Sequence, residues 1–181
     1  MVHWRMYYYD VYFVSNLKVY LNSTQYELKL ENGQIIKVNQ ILNGETKGLG
    51  TGTLVWPAAH VLSKYLEKRF LSVGDSFSHP PLAGKRVCDV GSGTGITGFV
   101  AAAMGATVTL TDQECVMPLL KENANLYSLA FSPTNSSNIS IELYEWGADT
   151  DHLGLPFDFI LVSDCVLPKL YPIEILVKVR S

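Results

Sequence analysis

The chain has 181 residues, of which 48% are hydrophobic and 17% charged, a composition that supports one buried core and argues against a mainly disordered protein. Its formal net charge is -3 and its basic residues form no cluster, which argues against nucleic-acid binding through a broad basic surface. A small molecule or another protein is therefore the expected partner.

The chain up to about residue 50 is rich in Tyr, Val and Ile and predicts a β-hairpin. Two apolar-alternating segments, YELKLE at 26–31 and QIIKVNQ at 34–40, flank the turn residues Asn32 and Gly33. The segment GETKGLGTGT at 44–53 is too rich in glycine for regular structure. We interpret it as a linker or mobile gate.

A helix is predicted to begin at Pro57, because proline is favoured at the first helical position. Apolar residues then recur at three- and four-residue spacing, as on one buried face of a helix. The residues of this predicted stripe are Ala58, Val61, Leu62, Tyr65, Leu66 and Phe70. We expect the helix to pack on a sheet through them.

From residue 86 onward, short apolar runs alternate with helical stretches, a pattern typical of parallel strands joined by helices. The predicted strands lie at 86–90, 107–111, 139–144 and 157–163, and the predicted helices at 94–104 and 114–129. The sequence therefore predicts an α/β fold: a Rossmann-like parallel sheet with helices on both faces, preceded by the hairpin. We divide the chain into a hairpin extension, 1–50, and a cofactor-binding domain, 51–181.

The segment VCDVGSGTGITG at 87–98 places Asp89, Gly91, Gly93 and Gly95 at a strand-to-helix turn, where backbone can approach a ligand closely. A dinucleotide fingerprint or a phosphate-binding P-loop would each need a residue that is missing here. An acidic residue before alternating glycines suits a cofactor with a cationic amino-acid end, as in S-adenosylmethionine. A tight turn without a ligand, with Asp89 as a structural carboxylate, stays open.

The second strand of the predicted sheet ends at Asp112, twenty-one residues after Gly91. At this spacing an acidic side chain can accept hydrogen bonds from the ribose hydroxyls of a nucleoside cofactor. Asp is also a preferred N-cap residue, so Asp112 could instead cap the following helix. The two roles are compatible.

Several segments together resemble a known family, the seven-β-strand methyltransferases of the Methyltransferase-16 type. This family includes lysine methyltransferases that act on chaperones and elongation factors. The resemblance covers roughly residues 50–175 and is strongest in a lead-in segment before the glycine turn. The segments that carry it are TGTLVWPAAHVLSKYLEK at 51–68, VCDVGSGTGITG at 87–98, TLTD at 109–112, LLKENANL at 119–126, YEWGAD at 144–149 and SDCV at 163–166.

The resemblance implies a set of cofactor contacts in this sequence. Trp56 is expected to line the cofactor pocket, and Trp146 to lie against the adenine. The three glycines would approach the methionine part, while Asp112 would hold the ribose. Trp offers a flat apolar face and one N–H, which suits both positions; packing within the helix start or under the sheet edge is the alternative for each indole.

After the fourth strand, the family pattern has an acidic residue and, three positions later, an aromatic one, which frame the mouth for the target side chain. Here these positions hold Asp164 and Leu167. Asp164 is thus the candidate for positioning a substrate lysine, with a helix cap as its alternative role. Leu167 departs from the pattern and weakens the implication of lysine specificity; Tyr171 could substitute.

The resemblance implies an S-adenosylmethionine-dependent protein-lysine N-methyltransferase that acts on a chaperone or translation factor. Nucleic-acid and membrane partners are not expected, because the chain has neither a basic cluster nor an apolar run long enough to span a bilayer. The family fold has seven strands, whereas this sequence ends at Ser181, so its C-terminal strands are expected to be missing. The alternatives are a truncated non-catalytic product that binds cofactor weakly or acts as an interaction protein, and methylation of a small molecule.

The three cysteines, Cys88, Cys115 and Cys165, are widely spaced and lack Cys-x-x-Cys spacing. The sequence therefore predicts neither a disulfide framework nor a metal site. No signal-peptide pattern precedes them. A cytoplasmic protein is the expectation, with the nucleus as a second location.

Overall fold

The computed structural model describes residues 22–71, 80–131, 138–154 and 156–165. Leu167 and Tyr171 lie outside these ranges. Single 3-10 turns occur at Glu45–Lys47 and Asp151–Leu153. The strands and helices are β1 (Gln25–Lys29), β2 (Ile35–Asn39), α1 (Pro57–Leu71), β3 (Arg86–Val90), α2 (Ile96–Ala103), β4 (Thr107–Asp112), α3 (Met117–Ala130), β5 (Ile139–Leu143) and β6 (Phe159–Val162).

The larger sheet contains four parallel strands in the order β5, β4, β3, β6. Val87 of β3 is in register with Val108 on one side and with Phe159 on the other. Because all four strands run the same way, their carboxyl ends meet at one edge of the sheet. The predicted α/β fold with a parallel, Rossmann-like sheet and a preceding hairpin is confirmed.

The sheet is covered by apolar residues on both faces of β3, as expected for a central parallel strand. Val87 belongs to the main core, whereas Cys88 and Val90 pack with Tyr144 and Leu153 in a second, smaller cluster. Alternate side chains of a strand point to opposite faces. The smaller cluster therefore lies under the segment that follows β5.

The predicted hairpin is confirmed and is formed by β1 and β2. Its loop closes through hydrogen bonds from the Gly33 N–H to the Leu30 carbonyl, 3.0 Å, and from the Leu30 N–H to the Gln34 carbonyl, 2.8 Å. Gly33 has a φ of 85°. This is a three-residue connection that ends with a left-handed glycine, one of the common hairpin types.

The hairpin packs on the α/β unit through its buried residues. Tyr26, Ile36 and Val38 belong to the same core as Phe99 of α2, and β2 contacts both α2 and α3. The hairpin thus covers the helical layer of the sheet. The division of the chain at residue 50 stays a prediction.

Helix α1 begins at Pro57 as predicted, but its buried face differs from the predicted stripe. Val61 is 41% and Tyr65 55% exposed, whereas Ser63 and Glu67 are almost fully buried. Glu67 accepts a hydrogen bond from the backbone N–H of Glu31 and forms an ion pair with Lys64, whose Nζ also donates to the carbonyl of Lys29. The helix therefore turns polar side chains toward the hairpin, where backbone groups need partners. Across the described residues, no helix is long and apolar enough to span a bilayer.

Candidate cofactor and substrate site

A cavity of about 430 Å³ opens at the carboxyl edge of the parallel sheet. Its wall is formed by the lead-in loop, residues 51–56, by the turn after β3, and by residues that follow β4, β5 and β6. Ligands of open α/β sheets bind at this edge. The volume is within the range of small-molecule and cofactor sites.

The predicted glycine turn forms the floor of the cavity. Gly91 and Gly93 line it and have φ angles of 68° and 55°, a backbone conformation that side chains rarely adopt. A Cβ on Gly91 would lie 3.1 Å from the Trp146 ring, and one on Gly93 would lie 2.9 Å from the carbonyl oxygen of Gly52. The turn therefore passes directly against two other walls of the cavity.

Gly95, the third glycine of the turn, occupies the N-cap position of α2 and does not line the cavity. Its φ is 85°, and an added Cβ would lie 2.7 Å from the ring of Phe99 and 2.9 Å from Leu120. Close packing under the helix start therefore accounts for this glycine. Its approach to the methionine part of a cofactor stays a prediction.

Asp89 is 2% exposed and lies beneath the turn, outside the residues that line the cavity. Its Oδ2 accepts a hydrogen bond of 2.9 Å from the Gly98 N–H. The pKa of Asp89 is raised to about 7: burial is the largest cause, the charge of Asp112 adds to the rise, and the Gly98 hydrogen bond opposes both. The carboxyl group fixes the start of α2, and its action at the cofactor ammonium stays a prediction.

Asp112 ends β4 and lines the cavity. Its Oδ2 accepts a hydrogen bond of 2.7 Å from Gly93 N–H, and its Oδ1 accepts one of 2.8 Å from Gln113 N–H. Burial raises its pKa, and the two backbone donors oppose that rise. The N-cap of α3 is Val116, so the alternative of a helix cap is wrong. Asp112 instead joins the glycine turn to the end of β4, and lone pairs remain on both oxygens for a ligand.

Both predicted tryptophans line the cavity. Trp56 is half-buried at the start of α1, and its Nε1 donates a hydrogen bond of 2.7 Å to the Thr51 carbonyl. Trp146 is half-buried beside Gly91 and packs on the smaller apolar cluster. Each indole is therefore held by the protein while part of it faces the cavity. Their contacts with a cofactor stay predictions.

Asp164 follows β6, is exposed, and lies at the mouth of the cavity. Its φ is 52°, and its Oδ2 accepts a hydrogen bond of 2.8 Å from the Ala58 N–H. Ala58 is in the first turn of α1, so Asp164 does cap a helix, one 106 residues away in the sequence. One carboxylate oxygen is used by this cap, and the other can face a substrate.

The structure adds cavity residues that sequence reasoning did not single out. Gln113, Glu145 and Cys165 line it, each next to a residue that was identified, so adjacency in the motif was the available signal. Gly52 also lines the cavity, but it contacts a glycine turn that is distant in the sequence, so no local sequence pattern indicates its position. Burial, and to a smaller degree the charge of Asp89, raise the pKa of Cys165 to about 12. Its thiol is thus protonated and unsuited to nucleophilic catalysis.

The chemistry of the wall fits the cofactor that the sequence predicts. Three carboxyl groups line the cavity, and none of its described lining residues is Lys, Arg or His. This set suits a ligand with positive charge and a nucleoside, and it disfavours a phosphate. Among the described residues, no group of three or more His, Cys, Asp or Glu is arranged to hold a metal ion.

Comparisons with known proteins identify the family of the chain. The family profile described as lysine methyltransferase matches residues 36–179. The chain is 32% identical over 143 residues to Protein N-lysine methyltransferase METTL21A of Xenopus tropicalis, covering 77% of the chain and 59% of that protein. It is 31% identical over 128 residues to EEF1A lysine methyltransferase 3 of the same organism, covering 70% and 51%. The chain thus spans little more than half the length of these relatives.

Among solved structures, the chain is similar to the Thermus thermophilus 16S rRNA N2 G1207 methyltransferase, with a TM-score of 0.48, 18% identity, and coverage of 77% of the chain and 33% of that structure. A methyltransferase from Agrobacterium tumefaciens gives a TM-score of 0.44, 21% identity, and coverage of 77% and 39%. The family assignment rests on the profile and on the sequence relatives. The chain belongs to the lysine methyltransferase family.

Proposed function

We propose that this chain forms the cofactor-binding part of an S-adenosylmethionine-dependent protein-lysine N-methyltransferase. The observation that carries the proposal is the convergence of Gly91, Gly93, Asp112, Trp56 and Trp146 on one cavity at the carboxyl edge of the sheet. These residues come from four separate segments of the chain. A buried turn without a ligand would explain the two glycines but would not require Asp112 and the two tryptophans at the same cavity.

The chemistry asks the protein mainly for positioning. Bound cofactor supplies an activated methyl group, so the protein must bring a neutral amine close and in line with it. Asp112 and the glycine turn would hold the nucleoside and methionine parts, and the two indoles would bound the adenosine. Asp164, fixed by the first turn of α1, would orient the substrate amine at the mouth.

The acceptor in this proposal is a lysine of a protein of the chaperone or translation-factor type. Two of the relatives are named as protein N-lysine methyltransferase and EEF1A lysine methyltransferase, which supports a protein substrate. We also propose a cytoplasmic location, or a nuclear one. The free cysteines Cys88, Cys115 and Cys165 support a reducing compartment.

Calorimetric titration with S-adenosylmethionine tests the cofactor site, and Asp112→Asn is the informative variant. Asn keeps one oxygen that can accept from the Gly93 N–H, but it removes the negative charge that strengthens hydrogen bonds from the ribose hydroxyls. Binding of S-adenosylmethionine should therefore weaken by about 1.5–3 kcal/mol. Asp151→Asn, an exposed position outside the cavity, is the matched control and should bind as the unmodified chain does. Equal affinity of all three proteins for S-adenosylmethionine would show that Asp112 does not contact the cofactor.

Incubation of the chain with methyl-labelled cofactor and a cell lysate tests the acceptor. A labelled protein band whose label maps to lysine supports the proposed activity. Cofactor binding without any labelled protein would favour the alternative, a non-catalytic cofactor binder. Label found only in small molecules would show that the methyl acceptor is a small molecule rather than a protein.

A further inference from the structure

The two outer edges of the hairpin have different surroundings. The outer edge of β1 faces α1, where the Nζ of Lys64 donates to the carbonyl of Lys29. Among the strands that the structure describes, β2 pairs only with β1. The hydrogen bonds that join β2 to β1 alternate along the chain, with Gln34 and Gln40 at the two ends of the series. The residues at odd-numbered positions of β2 therefore direct their backbone groups away from β1.

These outward-facing residues are Ile35, Lys37 and Asn39. Asn39 confirms the direction, because its N–H and its carbonyl are both hydrogen-bonded to the side chain of Asn123 in α3, at 2.7 and 3.0 Å. The backbone N–H and carbonyl groups of Ile35 and Lys37 point to the same side and have no hydrogen-bond partner among the described residues. An open strand edge of this kind can pair with a further extended segment.

A groove of about 280 Å³ lies along this open edge. Ile35 and Lys37 line it from β2, and Leu126, Leu129 and Ala130 line it from α3. Leu129 is 86% and Ile35 42% exposed. A segment that filled the groove would therefore pair with the strand edge and remove apolar surface from water at the same time.

Tyr127 adds a polar group to the groove. It lines the groove from α3 but is 1% exposed, and its ring stacks with those of Phe99 and Phe131 at centroid distances of 5.0 and 4.3 Å. Its hydroxyl group is buried and has no hydrogen-bond partner in the described part of the chain. A buried hydroxyl without a partner is unfavourable, and a buried Tyr O–H usually has one. An extended segment in the groove would bring backbone carbonyl groups that can accept from it.

We propose that residues 11–14 of this same chain, VYFV, occupy the groove as a third strand beside β2. They belong to the 21 residues that precede the described part of the chain. That part enters β1 at Gln25, which itself lines the groove. The seven residues from 15 to 21 can span roughly 23 Å when extended, whereas crossing β2 takes two strand spacings, about 10 Å. The segment is therefore long enough to reach the open edge.

The composition of the segment and of the edge also favours this pairing. Residues 11–14 are all Val, Tyr or Phe, which are enriched in strands. Lys37 does not present a free charge to an apolar strand, because it is paired with Glu27 at 2.5 Å. The chain connection gives the segment a high effective concentration at the groove, which a separate peptide would lack. A third strand would also stabilise a hairpin that has only two.

Residue-resolved hydrogen exchange on the 181-residue chain tests the pairing. Of two consecutive strand residues, one directs its N–H toward the neighbouring strand, so the double variant Tyr12→Pro, Phe13→Pro removes a pairing donor whichever residue that is. We expect the amides of Ile35 and Lys37 to exchange at least about tenfold faster in this variant than in the unmodified chain. Equal rates in the two proteins would overturn the proposal.

A second double variant, Arg5→Pro, Met6→Pro, is the matched control. It places two prolines in the same part of the chain but outside residues 11–14, and it should leave the exchange at Ile35 and Lys37 unchanged. Exchange at Val90 of β3 should be the same in all three proteins, which shows that the α/β unit stays folded. An equal increase in both double variants at Ile35 and Lys37 would contradict the assignment to 11–14.

Leu129→Lys tests independently whether the groove is filled. If the groove were empty, a leucine that is 86% exposed would tolerate lysine without loss of stability. We expect instead a lower urea midpoint for this variant, and no such shift when Tyr12→Pro, Phe13→Pro is already present. Leu143→Lys, at a position on β5 that is 47% exposed and outside the groove, is the control, and its shift should not depend on the two prolines.

The remaining outcomes would assign the groove to another occupant and would overturn the proposal. Slow exchange at Ile35 and Lys37 that becomes faster on dilution would indicate a second copy of the chain. A neutral Leu129→Lys together with fast exchange in the unmodified chain would leave the edge open to a separate protein. Neither measurement involves the cofactor, so a negative result here leaves the proposed function in place.

Discussion

Asp89 and Asp112 show how two carboxylates at neighbouring strand ends take different positions. Asp112 reaches the cavity, where it holds the Gly93 N–H, whereas Asp89 is directed under α2 toward the Gly98 N–H. Both are paired only with backbone donors among the described residues. Asp89 is the more deeply buried of the two, and we therefore expect its protonation to affect the stability of the fold near neutral pH.

Replacing Asp89 by Asn should change how stability depends on pH. In the unfolded chain this carboxyl group has a pKa near 3.8, and in the folded protein the pKa is about 7. The folded state thus binds the carboxyl proton more tightly than the unfolded state does. Protonated Asp89 therefore contributes its full stabilisation below about pH 4, and this stabilisation is lost as the pH rises to about 7. Asn keeps an acceptor for Gly98 and does not titrate.

Urea unfolding of both proteins at pH 5 and pH 8 measures the effect. The free energy of unfolding of the Asn variant, relative to that of the unmodified chain, should rise by about 2–3 kcal/mol between pH 5 and pH 8. A difference that is the same at both pH values would show that Asp89 does not change its protonation in this range.

The residues of the site were predictable where local spacing determines their position. Gly91, Gly93 and Asp112 follow directly from strand ends and come to the cavity. Asp89 and Gly95 belong to the same turn, but whether a side chain faces the ligand or the core depends on how α2 packs, which spacing does not encode. Contact between Gly52 and Gly93 joins positions 41 residues apart, and no local pattern marks such a contact.

At the level of elements, helix α2 packs closely on β4 at Gly98. The helix is almost wholly buried, and a Cβ on Gly98 would clash with the Leu110 side chain and lie 3.2 Å from the Asp89 carboxylate. The absence of a side chain at Gly98 thus allows both the close packing and the hydrogen bond to Asp89. Close helix–strand packing at a glycine is a known feature of nucleotide-binding folds.

Gly98→Ala should therefore destabilise the protein by about 1–3 kcal/mol through overpacking. In an unconstrained helix the same change would stabilise by up to about 1 kcal/mol, so the sign alone is informative. Denaturant unfolding checks it. Adding Leu110→Val, which removes the clashing methyl groups, should recover part of the loss; a stabilised single variant would contradict the close contact.

The strands and helices of the sheet were predictable to within three residues at each end, because their apolar runs are short and are separated by glycine and polar breaks. Strand β3 is found at the predicted residues, 86–90. The face of α1 was not predictable: its apolar residues suggested one side, but the hairpin requires polar partners from Lys64 and Glu67. Such tertiary demands override the periodicity of a single helix.

Across the whole molecule, Asn123 connects three parts of the chain. It is fully buried in α3, and its Nδ2 donates to the carbonyls of Asn39 and Thr94, each at 3.0 Å, while its Oδ1 accepts from the Asn39 N–H at 2.7 Å. The hairpin, the glycine turn and α3 are therefore held by one side chain. How the hairpin docks could not be read from its sequence, because the partner lies 84 residues away.

Asn123→Ala should lower the free energy of unfolding by about 2–4 kcal/mol, since it leaves buried backbone groups without partners. It should also weaken cofactor binding, because Thr94 lines the cavity. Asn125→Ala, an exposed position on the same helix, is the control and should change neither property. Denaturant unfolding and calorimetric titration of both variants test these two expectations. A large loss of stability with unchanged cofactor affinity would show that Asn123 holds the hairpin but does not support the cofactor site.

The hydrogen bond between Asp164 and Ala58 also has a consequence for biosynthesis. The two residues are 106 positions apart, so this hydrogen bond cannot form until the segment after β6 has left the ribosome. Until then, the first turn of α1 lacks this cap, and the nascent chain can bury its hairpin and central strands but cannot present a finished site. Contacts of such long sequence separation form late in folding. Cofactor would therefore be captured only after the segment that follows β6 has been made.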